Sequence, residues 1–252
     1  SAYHSMSSAP KELQRNVEYR RKLIERAAND KGFQKECRAR CAEDIEWYAD
    51  TFAFTYNPKD YPDNPVRPFI LWEYQVEALK RINAAIGKHD MLVEKSRDMG
   101  ASWLCLLILE WRWHFRPNQS FLLVSRVQDL VDKTNEPDAL FWKVYFLHEN
   151  MPGWMLPPKD RNSMSLHNLI NGSTITGAST TGETGRGGRK TAILLDEFAA
   201  VPDGYSMLSA TRDATNTRIM NSTPKGAAGA YYDQRENMAA KSPERVLRLH
   251  WA

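Results

Sequence analysis

Four consecutive apolar residues, Ala192-Ile193-Leu194-Leu195, run directly into Asp196 and Glu197, and this run constrains the fold more than any other segment. An apolar run without alternation suits a central parallel strand covered on both faces. Acids at the carboxyl end of such a strand face the crevice where open α/β sheets bind ligands. Well upstream, Asp90-Met91-Leu92-Val93-Glu94 is a second short apolar run. It leads into Lys95-Ser96-Arg97-Asp98-Met99-Gly100-Ala101-Ser102, and residues 101–114, rich in Leu and Trp, predict a helix. A strand, a glycine-containing loop and a helix in that order offer an anion unpaired N–H groups and a partial positive charge.

Together the two segments resemble the phosphate-binding loop and the metal-binding strand of P-loop nucleoside triphosphatases. The usual loop, G-x-x-x-x-G-K-[ST], cradles phosphates with its N–H groups, neutralises them with lysine and holds Mg²⁺ with the hydroxyl. Here Gly100 and Ser102 fall on the second glycine and the hydroxyl, Ala101 occupies the lysine position, and Lys95 replaces the first glycine. The positive charge is retained but comes from the other end of the loop. In the additional-glutamate class of this fold, an aspartate at the end of a buried strand orders the Mg²⁺ shell and the next carboxylate polarises the attacking water. Asp196 and Glu197 stand in that order.

The chain of 252 residues accommodates one large α/β domain with an appendage. Its 42% hydrophobic and 26% charged content is that of a soluble globular protein. The apolar stretch 103–109 is too short to cross a bilayer, and no leader opens the chain, so an intracellular protein without a membrane partner is expected. Cys37 and Cys41 lack a second pair to complete a zinc site and Cys105 lies in an apolar helix, which predicts three reduced thiols. A net charge of +3 argues only weakly for a polyanionic partner.

Residues 1–8, small and polar, read as a tag remnant. Residues 11–50 carry helical spacing with Leu13, Val17, Leu23 and Ile24 on one stripe, broken into two helices at residues 29–32. An N-terminal helical appendage over residues 1–56 and a core over 57–252 are thus expected. Four prolines in 57–68 predict an extended connector, and 71–86 returns to helical spacing. Beyond the loop helix, 121–125 reads as a buried strand, 128–147 as a long helix with a possible break at Pro137, and 151–160 as a surface loop. Asn171-Gly172 marks a hairpin, and 217–220 is a further strand. Strands alternating with helices predict a mostly parallel, doubly wound sheet with an antiparallel hairpin added.

With these pieces in order the chain resembles the ATPase domain of the large terminase subunit, the DNA-packaging motor of tailed bacteriophages. The resemblance extends from about residue 50 onward. Tyr74-Gln75 looks like the family's adenine-side element, and a glutamine amide suits an adenine edge. Some terminases carry the loop lysine at the loop's start, where Lys95 stands, and Arg97 matches an arginine placed inside the loop. Arg97 either contacts phosphate as a fixed fork or makes a structural ion pair. Gly185-Arg186-Gly187-Gly188-Arg189 matches a segment that supplies an arginine to the neighbouring subunit's nucleotide, and Arg186 fits the offset from Asp196 better than Arg189. The same basic loop also suits DNA-backbone contact. Ser222-Thr223-Pro224 resembles the motif that couples hydrolysis to movement.

The resemblance implies an ATP- and Mg²⁺-dependent motor domain that drives double-stranded DNA into a procapsid in the host cytoplasm. It implies a ring of identical copies, with portal and small terminase subunit as further partners. Lys95 and the loop residues Ser96 to Ser102, with Arg97, Asp98 and Met99 between, are expected to bind nucleotide; Ser102 and Asp196 to hold Mg²⁺; and Glu197, helped by Arg97 and Arg186, to drive hydrolysis. The nuclease domain of full-length terminases is expected to be absent. Two other readings compete. Ala101 favours a catalytically silent P-loop scaffold that binds DNA or protein, and the upstream glutamine, loop and Asp-Glu strand are shared with superfamily-two helicases.

Overall fold

The computed structural model describes residues 6–96, 100–180, 188–225 and 228–249. Three helices open it, α1 (Leu13–Ala27), α2 (Lys31–Glu43) and α3 (Ile45–Phe52), one more than the spacing predicts. Asp44 makes the difference: its side chain accepts the Trp47 N–H at 2.9 Å and starts a new helix. The buried stripe of α1 also differs from the apolar one expected. Leu13 and Val17 are exposed, whereas Asn16, Arg20, Leu23 and Ala27 are buried. Arg20 is tolerated inside because its guanidinium donates to Asn16 Oδ1 and to the carbonyls of Ala49 and Ala53, at 2.7 to 3.1 Å, satisfying the end of α3.

The proline-rich stretch forms the far side of a two-stranded antiparallel ribbon, β1 (Phe54–Tyr56) with β2 (Val66–Pro68). Helix α4 (Glu73–Ala85), strand β3 (Met91–Lys95), helix α5 (Ala101–Phe115) and strand β4 (Ser120–Ser125) follow as the sequence predicts. The long helix expected over 128–147 does not form. A 3-10 turn, Gln128–Leu130, is followed by irregular chain, and α6 spans only Leu140–Glu149. Pro137 lacks an N–H and biases Glu136 away from helical geometry, so the helix restarts beyond it. Residues 151–160 are not all surface loop, since Met151 and Met155 are buried and β5 (Lys159–Asn162) begins within them. Strands β6 (Ser165–Asn168) and β7 (Thr174–Ser179) form the hairpin marked by Asn171-Gly172, with Gly172 at φ +77°. Then come β8 (Ala192–Asp196), α7 (Gly204–Thr211), β9 (Arg218–Ser222), α8 (Ala230–Lys241) and β10 (Val246–Leu249).

Eight strands of the described residues make one sheet in the order β10-β3-β9-β8-β4-β7-β6-β5. The first six run parallel, and β6 and β5 extend the edge antiparallel. Both faces are covered, which is why the central strands are apolar on successive residues. Met91, Val93, Leu123 and Leu194 pack with α4, α5, α6 and the N-terminal helices in one cluster. Leu92, Val124, Ile193, Leu195 and Met220 face Phe198, Met207, Leu208 and Tyr231 on the other. Helices α7 and α8 approach closely enough that a Cβ on Gly204 would stand 2.7 Å from the Ala230 Cβ. No helix of the described residues is long and apolar enough to cross a membrane.

A buried carboxylate fastens the N-terminal helices to α5. Glu110, fully buried, accepts the Tyr48 hydroxyl at 2.7 Å and lies 3.1 Å from His114 Nδ1 and 2.9 Å from His148 Nε2. Lys159 Nζ donates to His148 Nδ1 at 2.9 Å, which leaves the His148 proton on Nε2, pointing at Glu110. Burial lowers the His148 pKa from its ordinary 6.5, and Glu110 only partly offsets this. Burial alone would raise Glu110, but hydrogen bonds from His114 and His148 outweigh it and hold the carboxyl well below the usual range. Both groups therefore bind fewer protons folded than unfolded, and the stability they confer is lost as pH falls, first through the histidine window below 6.5 and then below the ordinary carboxylate range. The melting temperature is expected to fall between about pH 7 and pH 5. His148→Gln, which keeps a donor toward Glu110, is expected to show a shallower fall in scanning calorimetry.

Candidate functional site

The register of the parallel strands brings a set of polar residues to one rim. Glu94 pairs with Ser222, Asp196 with Asn221, and Val124 with Leu195, so the carboxyl ends of β3, β9, β8 and β4 lie side by side. The chain leaves β3 at Lys95, and the Ser96 N–H continues the pairing by donating to Leu249 O at 3.2 Å. That backbone donor is thus committed to β10. Gly100 caps α5 with φ +65°, a conformation that glycine adopts without a Cβ penalty. Among the described residues no side chain caps this helix, which leaves N–H groups of its first turn available at the rim. Ala101 is the first helical residue and is buried, and Ser102 follows it. Arg97, Asp98 and Met99 lie outside the described residues.

Asp196 is buried, and its carboxylate takes donors from two other elements. Ser102 Oγ donates to its oxygens at 3.0 and 3.3 Å, and Asn221 Nδ2 donates to Oδ1 at 2.7 Å. Burial still pushes its pKa up, against the pull of Lys95, Asn221 and Ser102. Lys95 Nζ stands 3.1 Å from Glu197 Oε1. Burial on its own would lower the lysine, but the charges of Asp196 and Glu197 prevail and hold it above the usual lysine range. Glu197 adopts φ 51°, ψ 39°, a left-handed conformation uncommon for a residue with a side chain. Its carbonyl accepts the Ala200 N–H at 2.9 Å, closing the tight turn that carries the carboxylate off β8 toward Lys95.

These groups line a cavity of about 730 Å³. Its walls carry the cations Lys59, Lys95, Arg126, Lys143 and Lys225 against the carboxylates Asp138, Asp196 and Glu197, a surplus of positive charge that fits a polyanion. The ribbon supplies Tyr56 and Asn57. A second cavity, of about 450 Å³, shares Tyr56, Gly100 and Trp103 with the first and is lined by Tyr74 and Gln75. Gln75 therefore shares a cavity with Gly100 of the loop. It has a structural task as well, since its Oε1 accepts the Trp72 N–H at 2.9 Å at the start of α4.

Of the remaining assigned residues, Thr223 lines the larger cavity, while Pro224 lines a separate pocket against α8. The Ser222 hydroxyl is engaged with backbone, accepting the Ala199 N–H at 3.1 Å and donating to Thr223 O at 3.0 Å. Arg186 lies outside the described residues. Arg189 precedes β8, at the opposite end of the strand from Asp196, and its guanidinium bonds Asp213 O and Asn216 Oδ1. The sequence reading passed over Asn221, Lys143 and Ser125. Each is a polar residue inside an apolar strand or helix, a signal open to inspection, but which element it faces is set by the sheet order.

The donor set suits Mg²⁺. One carboxylate and one hydroxyl at the rim are what this ion takes when phosphates and water complete its shell. Among the described residues no group of three or more His, Cys, Asp or Glu could hold a metal without such help.

The sequence profile of the family described as "Terminase large subunit, T4likevirus-type, N-terminal" matches residues 92–249. No curated protein matches. Among solved structures, the large terminase of bacteriophage HK97 is similar with a TM-score of 0.63 and 14% identity, over 82% of this chain and 43% of its own. The large terminase of a thermophilic bacteriophage is similar with a TM-score of 0.53 and 12% identity, over 71% of this chain and 45% of its own. The same thermophilic terminase in complex with ADP gives a TM-score of 0.51 and 13% identity, over 72% and 46%. The chain thus spans less than half the length of these proteins, and at such identities the likeness shows the fold.

Asn221→Leu removes an amide donor from a buried carboxylate and is expected to cost about 1–3 kcal/mol at neutral pH. Asp196 already has a raised pKa, and losing the donor raises it further. The deficit should therefore shrink as pH falls from neutral into the acid range and the group protonates. Thermal melts of both proteins at neutral and acid pH check this.

Proposed function

We propose that this chain, which belongs to the T4-like-virus-type family of terminase large subunits through their N-terminal region, is an ATPase domain that moves double-stranded DNA into a procapsid. The observation that carries the reading is the cluster at the sheet rim, with Ser102 hydrogen-bonded to Asp196 at 3.0 Å and Lys95 paired with Glu197 at 3.1 Å. It supports ATP hydrolysis because a cation for phosphate, a hydroxyl and a carboxylate for Mg²⁺ and a second carboxylate for water lie together at one rim. The thermophilic phage terminase, solved in complex with ADP, supports the same ligand class.

The α5 first-turn N–H groups and Lys95 would bind the phosphates, and Gln75 would face the base. Ser102 and Asp196 would hold Mg²⁺, which when bound neutralises charge on the phosphates. Lys95 now neutralises Glu197. An incoming phosphate chain competes for the ammonium, and Glu197 is then free to accept a proton from the attacking water. Binding and activation are thereby linked through one lysine. Arg97 belongs to the same loop and would contact phosphate. Arg186 would act on a neighbouring copy's nucleotide, which makes the working form a ring, and Thr223 would carry the state of the site toward Ser222 and Pro224.

DNA contact would be to backbone phosphates, without sequence preference and strongly weakened by salt. The portal and small terminase subunit are the further partners, and the infected cell's cytoplasm the place of action. The silent-scaffold reading draws on the Lys95–Glu197 pair and Ala101, and the same measurements test it.

ATP turnover should be compared for the wild type, Glu197→Gln and Lys95→Ala. Glu197→Gln is expected to lose about 10²- to 10⁴-fold in rate while still binding Mg·ATP, and Lys95→Ala to bind it more weakly. Equal rates in all three proteins would sink the enzymatic reading.

A further inference from the structure

Lys143 is a lysine in the middle of an apolar helix segment, Leu140-Phe141-Trp142-Lys143-Val144-Tyr145, and it is 9% exposed. Lysines are almost never this buried without a partner of opposite charge. Among the described residues its ammonium has one hydrogen bond, to Pro137 O at 2.7 Å, and lies 5.6 Å from the centre of the Trp103 ring. An ammonium has three donors, so this site leaves donor capacity unspent. The chain tolerates the cost, and burial holds the Lys143 pKa below its usual value, with Asp196 partly opposing.

The end of β4 presents a second unsatisfied group to the same cavity. Ser125 is 1% exposed, and its hydroxyl has no hydrogen-bond partner among the described residues. Both residues line the cavity that holds Lys95, Ser102 and Asp196. A buried cation with spare donors and a buried hydroxyl without a partner are the groups that a phosphate oxygen would satisfy. Neither belongs to the loop or to the Asp-Glu strand.

We propose that Lys143 and Ser125 form a second phosphate-binding wall, through which α6 and β4 grip the polyphosphate in addition to the loop. The wall rests on the nucleotide reading of the cavity and adds to it. It explains how a loop with Ala101 in the lysine position can hold a highly charged ligand. Lys95 is paired with Glu197 in the free chain, whereas Lys143 has no carboxylate within ion-pairing distance among the described residues. Trp103 shields the ammonium from water, which strengthens its attraction for an anion.

The test is calorimetric titration of Mg·ATP into the wild type, Lys143→Met, Lys143→Arg and Ser125→Ala, with a thermal melt of each free protein. Lys143→Met is expected to bind about tenfold or more weakly, Ser125→Ala severalfold more weakly, and Lys143→Arg to recover much of the loss. A merely structural role, fixing the loop at Pro137, would lower the melting temperature and leave the affinity of the folded protein unchanged. Affinities within twofold of wild type for both Lys143→Met and Ser125→Ala overturn the wall. If Lys143→Met fails to fold, unchanged binding by Ser125→Ala overturns it alone. A wild type that binds no nucleotide removes the nucleotide reading itself, a result distinct from normal wild-type binding with unaffected variants.

Discussion

A buried carboxylate without partners is untenable, and Asp196 obliges the rest of the rim to supply them. Burial penalises its charge, and the penalty is offset from three directions: the Ser102 hydroxyl on α5, the Asn221 amide on β9 and the field of Lys95 at the end of β3. Each donor comes from a different element, and each reaches the aspartate only if its strand is in register. A one-residue slip of β9 would turn Asn221 to the other face and put Met220 or Ser222 in its place beside the charge. The electrostatics of the site and the registration of the sheet are therefore a single constraint.

The same constraint explains where the lysine sits. Position 101 begins a helix whose first residue is buried against the sheet, and Ala101 fits there as a small residue at little cost. The charge then has to enter from the strand side. At the end of β3, Lys95 is 13% exposed at its side chain, pairs with Glu197 and feels the charge of Asp196. Those acids keep it protonated despite burial. In a free chain, then, the cation and the glutamate neutralise one another, and a site with both charges in place carries neither of them unpaired.

Much of this architecture is visible in the sequence because its central strands are covered on both faces. Residues 90–94, 121–125 and 192–195 read as strands from their apolar runs, and residues 101–114 as a helix rich in Leu and Trp. Elements that bury less are hard to see. Only Ala230 and Tyr231 of α8 are buried, and β10 is four residues long with alternating exposure. In α1 the apolar pattern misleads, since Arg20 takes the inward position by satisfying the Ala49 and Ala53 carbonyls of another helix. Asp196, Glu197, Lys95 and Ser102 are legible because their spacing is local to two motifs. Asn221, Lys143 and Ser125 are not, because their meaning depends on which strand lies next to which.

Strand β9 lies between the loop strand and the acid strand, and this position gives its end a mechanical character. The Ser222 hydroxyl accepts the Ala199 N–H from the turn that begins at Glu197. The Tyr231 hydroxyl, from α8, reaches both Val93 O on β3 and Ser222 O on β9, at 3.1 and 3.3 Å. With one proton shared between two carbonyls, this hydroxyl ties the adjacent strands together near their carboxyl ends. Any rearrangement of the Glu197 turn must either break the Ser222 contact or carry β9, and with it Tyr231 and α8, along. Hydroxyl groups make these ties directional yet individually weak, at about 1 kcal/mol net each.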